Sequence, residues 1–95
     1  MTHYVLLKFS ENSDLDKIEK IVRDTYDKLD KELSFLHDPK VSRNSVERDS
    51  NMDLMAKISL DSPEQLKSYL THPLHLKMAE DLKDNVIQRV SFDHE

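Results

Sequence analysis

The run Tyr69-Leu-Thr-His72-Pro73-Leu-His75 sets a tyrosine and two histidines around one proline, and these are side chains that exchange protons with bound molecules. Pro73 lacks a backbone N–H and its ring strikes the carbonyl four residues back, which costs about 3 kcal/mol inside a continuous helix. The chain is therefore expected to leave helical geometry at His72, which becomes an N-cap, and to start a new helix with Pro73 in first place. His75 is then the third residue of that helix, in the turn whose unpaired N–H groups form its positive end. That end disfavours the imidazolium by roughly 0.3 to 1 kcal/mol, and a neutral imidazole can accept a proton. His75 also shares the i, i+3, i+4, i+7 stripe of Met78, Ala79 and Leu82, the stripe expected to face inward. Tyr69, flanked by Leu66 and Leu70, faces inward from the preceding helix.

Three residues become catalytic candidates. His75 is the base, able to take a proton from the carbon beside a carbonyl, a step worth about 10² to 10⁴ in rate for a positioned group. Tyr69 orients that base or its substrate. His3 shares a strand face with Val5 and Leu7 and so approaches the same space. Val5, Leu7, Tyr26, Leu54, Ala56 and Met78 are expected to line the pocket, Ala56 leaving room and Leu54 filling it. The same residues have a structural alternative, in which His75 is hydrogen-bonded to Tyr69 and fixes a helix corner while His3 sits half-exposed near the terminus. His72 and His75 lie on either side of the break with no third ligand, so no metal site is expected. His37 and His94 read as surface residues.

Composition narrows the classes. Ninety-five residues form a single domain, residues 1–95, of a size at which a partner subunit helps burial. The net charge of -5, with no lysine and arginine cluster interleaved with aromatics, argues against nucleic acid and anionic membrane surfaces. The absence of cysteine excludes disulfides and thiolate chemistry. No apolar run is long enough to span a membrane and no signal segment is visible before the first strand, so a cytoplasmic location is expected. Glycine is also absent, where average usage gives about seven, which excludes glycine-rich phosphate loops. Turns that need positive φ are expected at Asn44, Asn51 and Asp53 instead.

The elements that position the candidates follow from periodicity. His3 to Phe9 is apolar on both faces, as in a strand covered on both sides. Ser13 and Asp16 resemble a capping box, after which Leu15, Ile18, Val22, Tyr26, Leu29 and Leu33 mark a long amphipathic helix with a charged outer face. Phe35 to Val46 is expected to be an irregular strand, interrupted at His37-Asp38-Pro39. Met52 to Leu60 alternates strictly and predicts a third strand, Ser62-Pro63-Glu64-Gln65 starts the helix that the Pro73 break ends, and Val86 to Phe92 closes the sheet. The order is ferredoxin-like βαββαβ, an α+β fold with the second helix broken in two at Pro73. Its helices cover one sheet face. Tyr4, Leu6 and Met55 remain on the other, which a second copy is expected to bury in a homodimer joined through that face.

The strand His3 to Phe9, the Tyr69 to His75 segment with its His-Pro-x-His core, and the chain length resemble the stress-responsive dimeric A/B barrel family over nearly the whole chain. The resemblance implies a homodimer whose sheets pack into a dimeric α+β barrel, in a family whose members mostly have no assigned reaction. It also implies a chemistry, since one plant enzyme of the family closes a linear polyketide by aldol condensation with no metal or organic cofactor. By that resemblance His75 matches the general base, Tyr69 its orienting partner and His3 a further polar group of the cavity. Leu54 departs from it, standing where that enzyme has another active-site histidine, and so does the lack of a glycine near the second strand. The resulting expectation is a cytoplasmic, homodimeric protein of unassigned activity that binds a small apolar carbonyl compound without a cofactor. The alternative is a cofactor-free polyketide cyclase or lyase-like enzyme using His75 with Tyr69.

Overall fold

The computed structural model describes all residues, Met1 to Glu95. Strand β1 (Thr2–Phe9) leads into helix α1 (Leu15–Glu32). The helix is capped by Asp14, whose carboxylate accepts the Lys17 N–H at 3.1 Å, and not by the expected Ser13. A carboxylate both satisfies that orphan donor and complements the positive helix end. Ser13 is occupied elsewhere, bonded to the Ser10 hydroxyl at 2.9 Å and to the Asn85 amide at 3.0 Å. Ile18, Val22, Tyr26 and Leu29, on one stripe of α1, are buried.

Strand β2 (Leu36–Arg43) pairs with β3 (Leu54–Leu60), and its register shifts between His37 and Lys40 as the His-Asp-Pro interruption foretold. Asp38, at φ 51°, is the sole residue with positive φ, so the expectation for Asn44, Asn51 and Asp53 is corrected. The extra residue of the bulge needs the left-handed conformation, which aspartate tolerates. The loop between β2 and β3 is held by side chains instead. Asn51 donates its amide to Asn44 Oδ1 at 3.1 Å and to the Val46 carbonyl at 3.0 Å, while Asp53 Oδ2 accepts the Phe9 N–H at 2.8 Å.

After β3, a 3₁₀ turn (Pro63–Gln65) runs into the short helix α2 (Leu66–Leu70), and Gln65 Oε1 accepts the Ser62 N–H at 3.0 Å. The break then falls where Pro73 requires it. His72 is extended (φ -62°, ψ 138°) and caps helix α3 (Pro73–Leu82) by accepting the Leu74 N–H on its Nδ1 at 3.0 Å. Its Nε2 therefore carries the proton and faces the Glu32 carboxylate at the end of α1, 3.0 Å away. One imidazole thus starts α3 and stands beside the end of α1.

Strand β4 (Val86–His94) completes an antiparallel sheet of order β2-β3-β1-β4, the ferredoxin-like α+β fold, with all helices on one face. The core lies between sheet and helices and joins Leu54, Ala56, Ile58 and Leu60 of β3 to the buried stripe of α1, Tyr69 of α2, and Met78 and Leu82 of α3. Inside it the Tyr26 and Tyr69 hydroxyls bond to each other. The opposite sheet face follows from the register: Tyr4 lies across from Lys57 and Phe92, and Leu6 across from Met55 and Val90. Val90 and Phe92 are exposed in the single chain, Phe92 by 62%.

Two outcomes are expected from urea denaturation. Leu29→Ala, at a position 0% exposed, lowers stability by about 2 to 5 kcal/mol. Tyr26→Phe and Tyr69→Phe each leave one buried hydroxyl without its partner and cost about 1 to 3 kcal/mol, whereas the double variant loses clearly less than their sum. Strict additivity would show that the two hydroxyls are not paired in solution.

Candidate functional site

The gap between α1, α3 and the β1 and β4 side of the sheet is a cavity of about 390 Å³. Its floor is Val5 and Leu7 of β1 with Ala56 of β3, and its walls are Val22 and Tyr26 of α1 and His75, Met78, Ala79 and Leu82 of α3. Val5 pairs directly with Ala56, so the short alanine side chain leaves depth at the centre of the floor. Lys83, Val86 and Arg89 complete the lining. Of the residues expected to line a pocket, Val5, Leu7, Tyr26, Ala56 and Met78 do so. Leu54 does not: it is buried next to Leu7 in the sheet and borders a separate cavity of about 430 Å³ beside the β2–β3 loop. The space beneath His75 is open, because the leucine that would have filled it lies two residues away on β3, opposite Leu7.

The His72 cap sets His75 one turn into α3, with its ring edge-on to Tyr69, the centroids 4.8 Å apart and the planes at 68°. Tyr69 meets His3 in the same edge-on manner on another side, at 5.6 Å. The three catalytic candidates are thus neighbours, joined through rings. The Tyr69 hydroxyl goes to Tyr26, leaving buried His75 Nδ1 with no hydrogen-bond partner. The helix-corner bond between His75 and Tyr69 is absent. His3 is 6% exposed and not half-exposed, and its Nδ1 is bonded to Asp93 across the β1–β4 pair.

Ionisation follows from these surroundings. Burial lowers the His75 pKa below its ordinary value, the nearby Arg89 and His3 act in the same direction, and the Leu70 carbonyl opposes them. The neutral imidazole anticipated from the helix end is favoured chiefly by desolvation. Tyr69 is held as the phenol, its pKa raised by burial and further by Tyr26, and burial raises that of Tyr26 as well. Neither tyrosine is a base at neutral pH. His72 points away from His75 to Glu32, while His37 and His94 are exposed, His37 beside Asp61 at 2.7 Å and His94 stacked on Tyr4.

Val22, Ala79, Leu82, Lys83, Val86 and Arg89 line the cavity without having been expected there, and of these Arg89 is the one that strand parity marks as unusual. The register sets Arg89 opposite Leu7, Ser91 opposite Val5 and Asp93 opposite His3, so β4 turns polar residues toward the helices and apolar Val90 and Phe92 away. That reversal of the usual pattern is the available signal. Val86 joins Arg89 on the inner face because the register shifts between Lys8 and Phe9.

Comparison with known proteins agrees with this architecture. No curated protein matches the sequence. A dimeric protein of unknown function and ferredoxin-like fold from Bacteroides fragilis superimposes with a TM-score of 0.84 at 20% identity, covering 99% of this chain and 93% of that one. A dimeric ferredoxin-like protein of unknown function from Jannaschia sp. CCS1 gives 0.82 at 19% identity, with 99% and 96% covered. A hydroxynitrile lyase from Passiflora edulis gives 0.77 at 13% identity, with 98% and 89% covered. At these identities the likeness concerns the fold. The sequence itself matches the family model for the stress responsive A/B barrel domain over residues 1–95, and the chain belongs to that family.

Proposed function

We propose that the protein is a cytoplasmic homodimer that binds a small apolar carbonyl compound in the cavity beneath α3. The carrying observation is the cavity itself, about 390 Å³, largely apolar and bordered by one neutral imidazole. That volume and composition fit a small-molecule site, in which apolar walls supply affinity and few polar groups fix orientation. The dimer is supported by the open sheet face, where Tyr4, Leu6, Met55, Val90 and Phe92 form an apolar surface, and by structural neighbours described as dimeric. A second copy covers that face by the same residues on both sides. No helix is long and apolar enough to cross a membrane.

The second reading, a cofactor-free cyclase or lyase-like enzyme, is favoured by the neutral state of His75 in the wall of the cavity. Nδ1 is sealed among side chains, so Nε2 is the nitrogen assigned as base. In the proposed step the α C–H bond breaks, its proton forms a bond to Nε2, and the electron pair moves onto the carbonyl oxygen as an enolate. Tyr26 lines the cavity, and with Tyr69 donating to its oxygen its own proton is free to meet that oxygen. Tyr69 is then a positioning residue, holding the Tyr26 hydroxyl and the His75 ring, and His3 packs behind it.

Binding is tested by amide chemical-shift titration with a medium-chain methyl ketone, which is expected to perturb Val5, Ala56 and His75. Ala56→Leu fills the floor and is expected to weaken binding by tenfold or more; shifts confined to other surfaces would sink the reading. For catalysis, deuterium uptake at the ketone's α-carbon is expected to fall about 10²-fold or more in His75→Asn. Because burial lowers the His75 pKa, the rate declines only as pH falls below the ordinary histidine value of about 6.5. The same shift makes the folded chain bind fewer protons than the unfolded one, so its stability contribution is complete above about pH 6.5 and is lost as pH falls through the lowered value. His75→Asn is expected to be less acid-sensitive than the parent. Sedimentation is expected to give a dimer that Phe92→Asp converts to monomer, and an unchanged dimer would place the interface elsewhere.

A further inference from the structure

Arg89 lines the mouth of the cavity, on β4 opposite Leu7 of the floor. Arg23 and Arg43 are each paired with carboxylates of α1, whereas Arg89 has none within ion-pair distance. The nearest carboxylate on its own strand face, Asp93, is bound to His3. None of the 12 residues lining the cavity is acidic, in a chain whose net charge is -5. Lys83, the other cation of the lining, is bonded to Glu80 at 2.8 Å. The cavity therefore opens past one unneutralised guanidinium, close enough to bias the ionisation of His75, Tyr26 and Tyr69.

We infer that the cavity selects ligands bearing a carboxylate, which the Arg89 guanidinium holds at the mouth while the apolar body and its carbonyl lie inward against His75. The inference rests on the cavity being a ligand site and adds the class of ligand. A guanidinium presents parallel donors that match the two oxygens of a carboxylate, and such charge-assisted pairs are among the stronger polar contacts. A phosphate carries nearly twice the charge of a carboxylate and is favoured by a second free cation, whereas the other cation of the lining, Lys83, is engaged with Glu80. The apolar walls then take a chain or ring with a keto group, so the class is a small keto acid.

Titration of the full-length chain with a γ-keto acid carrying a pentyl tail, with the methyl ester of that acid, and with pentyl phosphate tests this, read by amide chemical shifts. The acid is expected to bind about tenfold or more tightly than the ester. Arg89→Gln is expected to weaken the acid far more than the ester and so to remove most of that preference, with the variant's amide spectrum, native-like at Val5, Ala56 and His75 before ligand is added, showing that its cavity is folded; Arg89→Lys retains part of the preference. Equal binding of acid and ester to the parent protein overturns the carboxylate assignment but leaves the cavity as a ligand site. Pentyl phosphate binding more tightly than the acid overturns the choice of carboxylate. If neither acid nor ester perturbs Val5, Ala56 and His75, both the inference and the ligand-site reading fall.

Discussion

Proline's missing N–H governs this fold more than any single contact. At Pro73 it ends one helix and begins another, and the orphaned N–H groups of the new helix must find a cap. His72 supplies it through Nδ1, which fixes its tautomer and turns Nε2 toward Glu32 at the end of α1. The start of α3 thereby lies beside the end of α1. The space that remains between those two helices and the sheet is the cavity, and its histidine stands one turn beyond the cap. Break, cap and the place of the site are successive consequences of one residue type.

A second constraint is the one-sided cover of the sheet. With every helix on one face, β4 at the edge is left with reversed polarity: Arg89, Ser91 and Asp93 toward the helices, Val90 and Phe92 away from them. In an isolated chain that pattern exposes large apolar side chains and offers charged ones to the interior. It makes physical sense when the outer face is buried by another copy and the inner face at this edge borders a solvent-reached cavity. The same alternation that calls for a partner on one side delivers a guanidinium to the site on the other.

Much of this was legible in the sequence because it follows from local stereochemistry. Strict alternation located β3, helical spacing located α1, and Pro73 located the break to the residue. The bulge at His37 to Lys40 was legible as a disturbance, but not the identity of the left-handed residue, since Asp38, Asn44, Asn51 and Asp53 all tolerate that conformation and tertiary pairing decides among them. Ser13 and Asp14 are likewise adjacent cap formers, and a distant Asn85 removes one of them from the contest. Tyr69 was read as inward-facing, yet the partner of its hydroxyl is on α1, 43 residues away, beyond any local pattern. Leu54 is expected at the pocket from the resemblance, which places it where a relative has a histidine, but its position along β3 opposite Leu7 puts it outside the cavity.

The chemistry of the site depends on that last distinction. Had the Tyr69 hydroxyl bonded to His75, the imidazole would have been a structural corner with its nitrogen satisfied. Because the hydroxyl is taken by Tyr26, Tyr69 and His75 meet only ring to ring, in a setting that keeps the imidazole neutral. What His75 brings to the cavity it lines is therefore a polar ring kept neutral chiefly by burial, among walls that are otherwise mostly apolar.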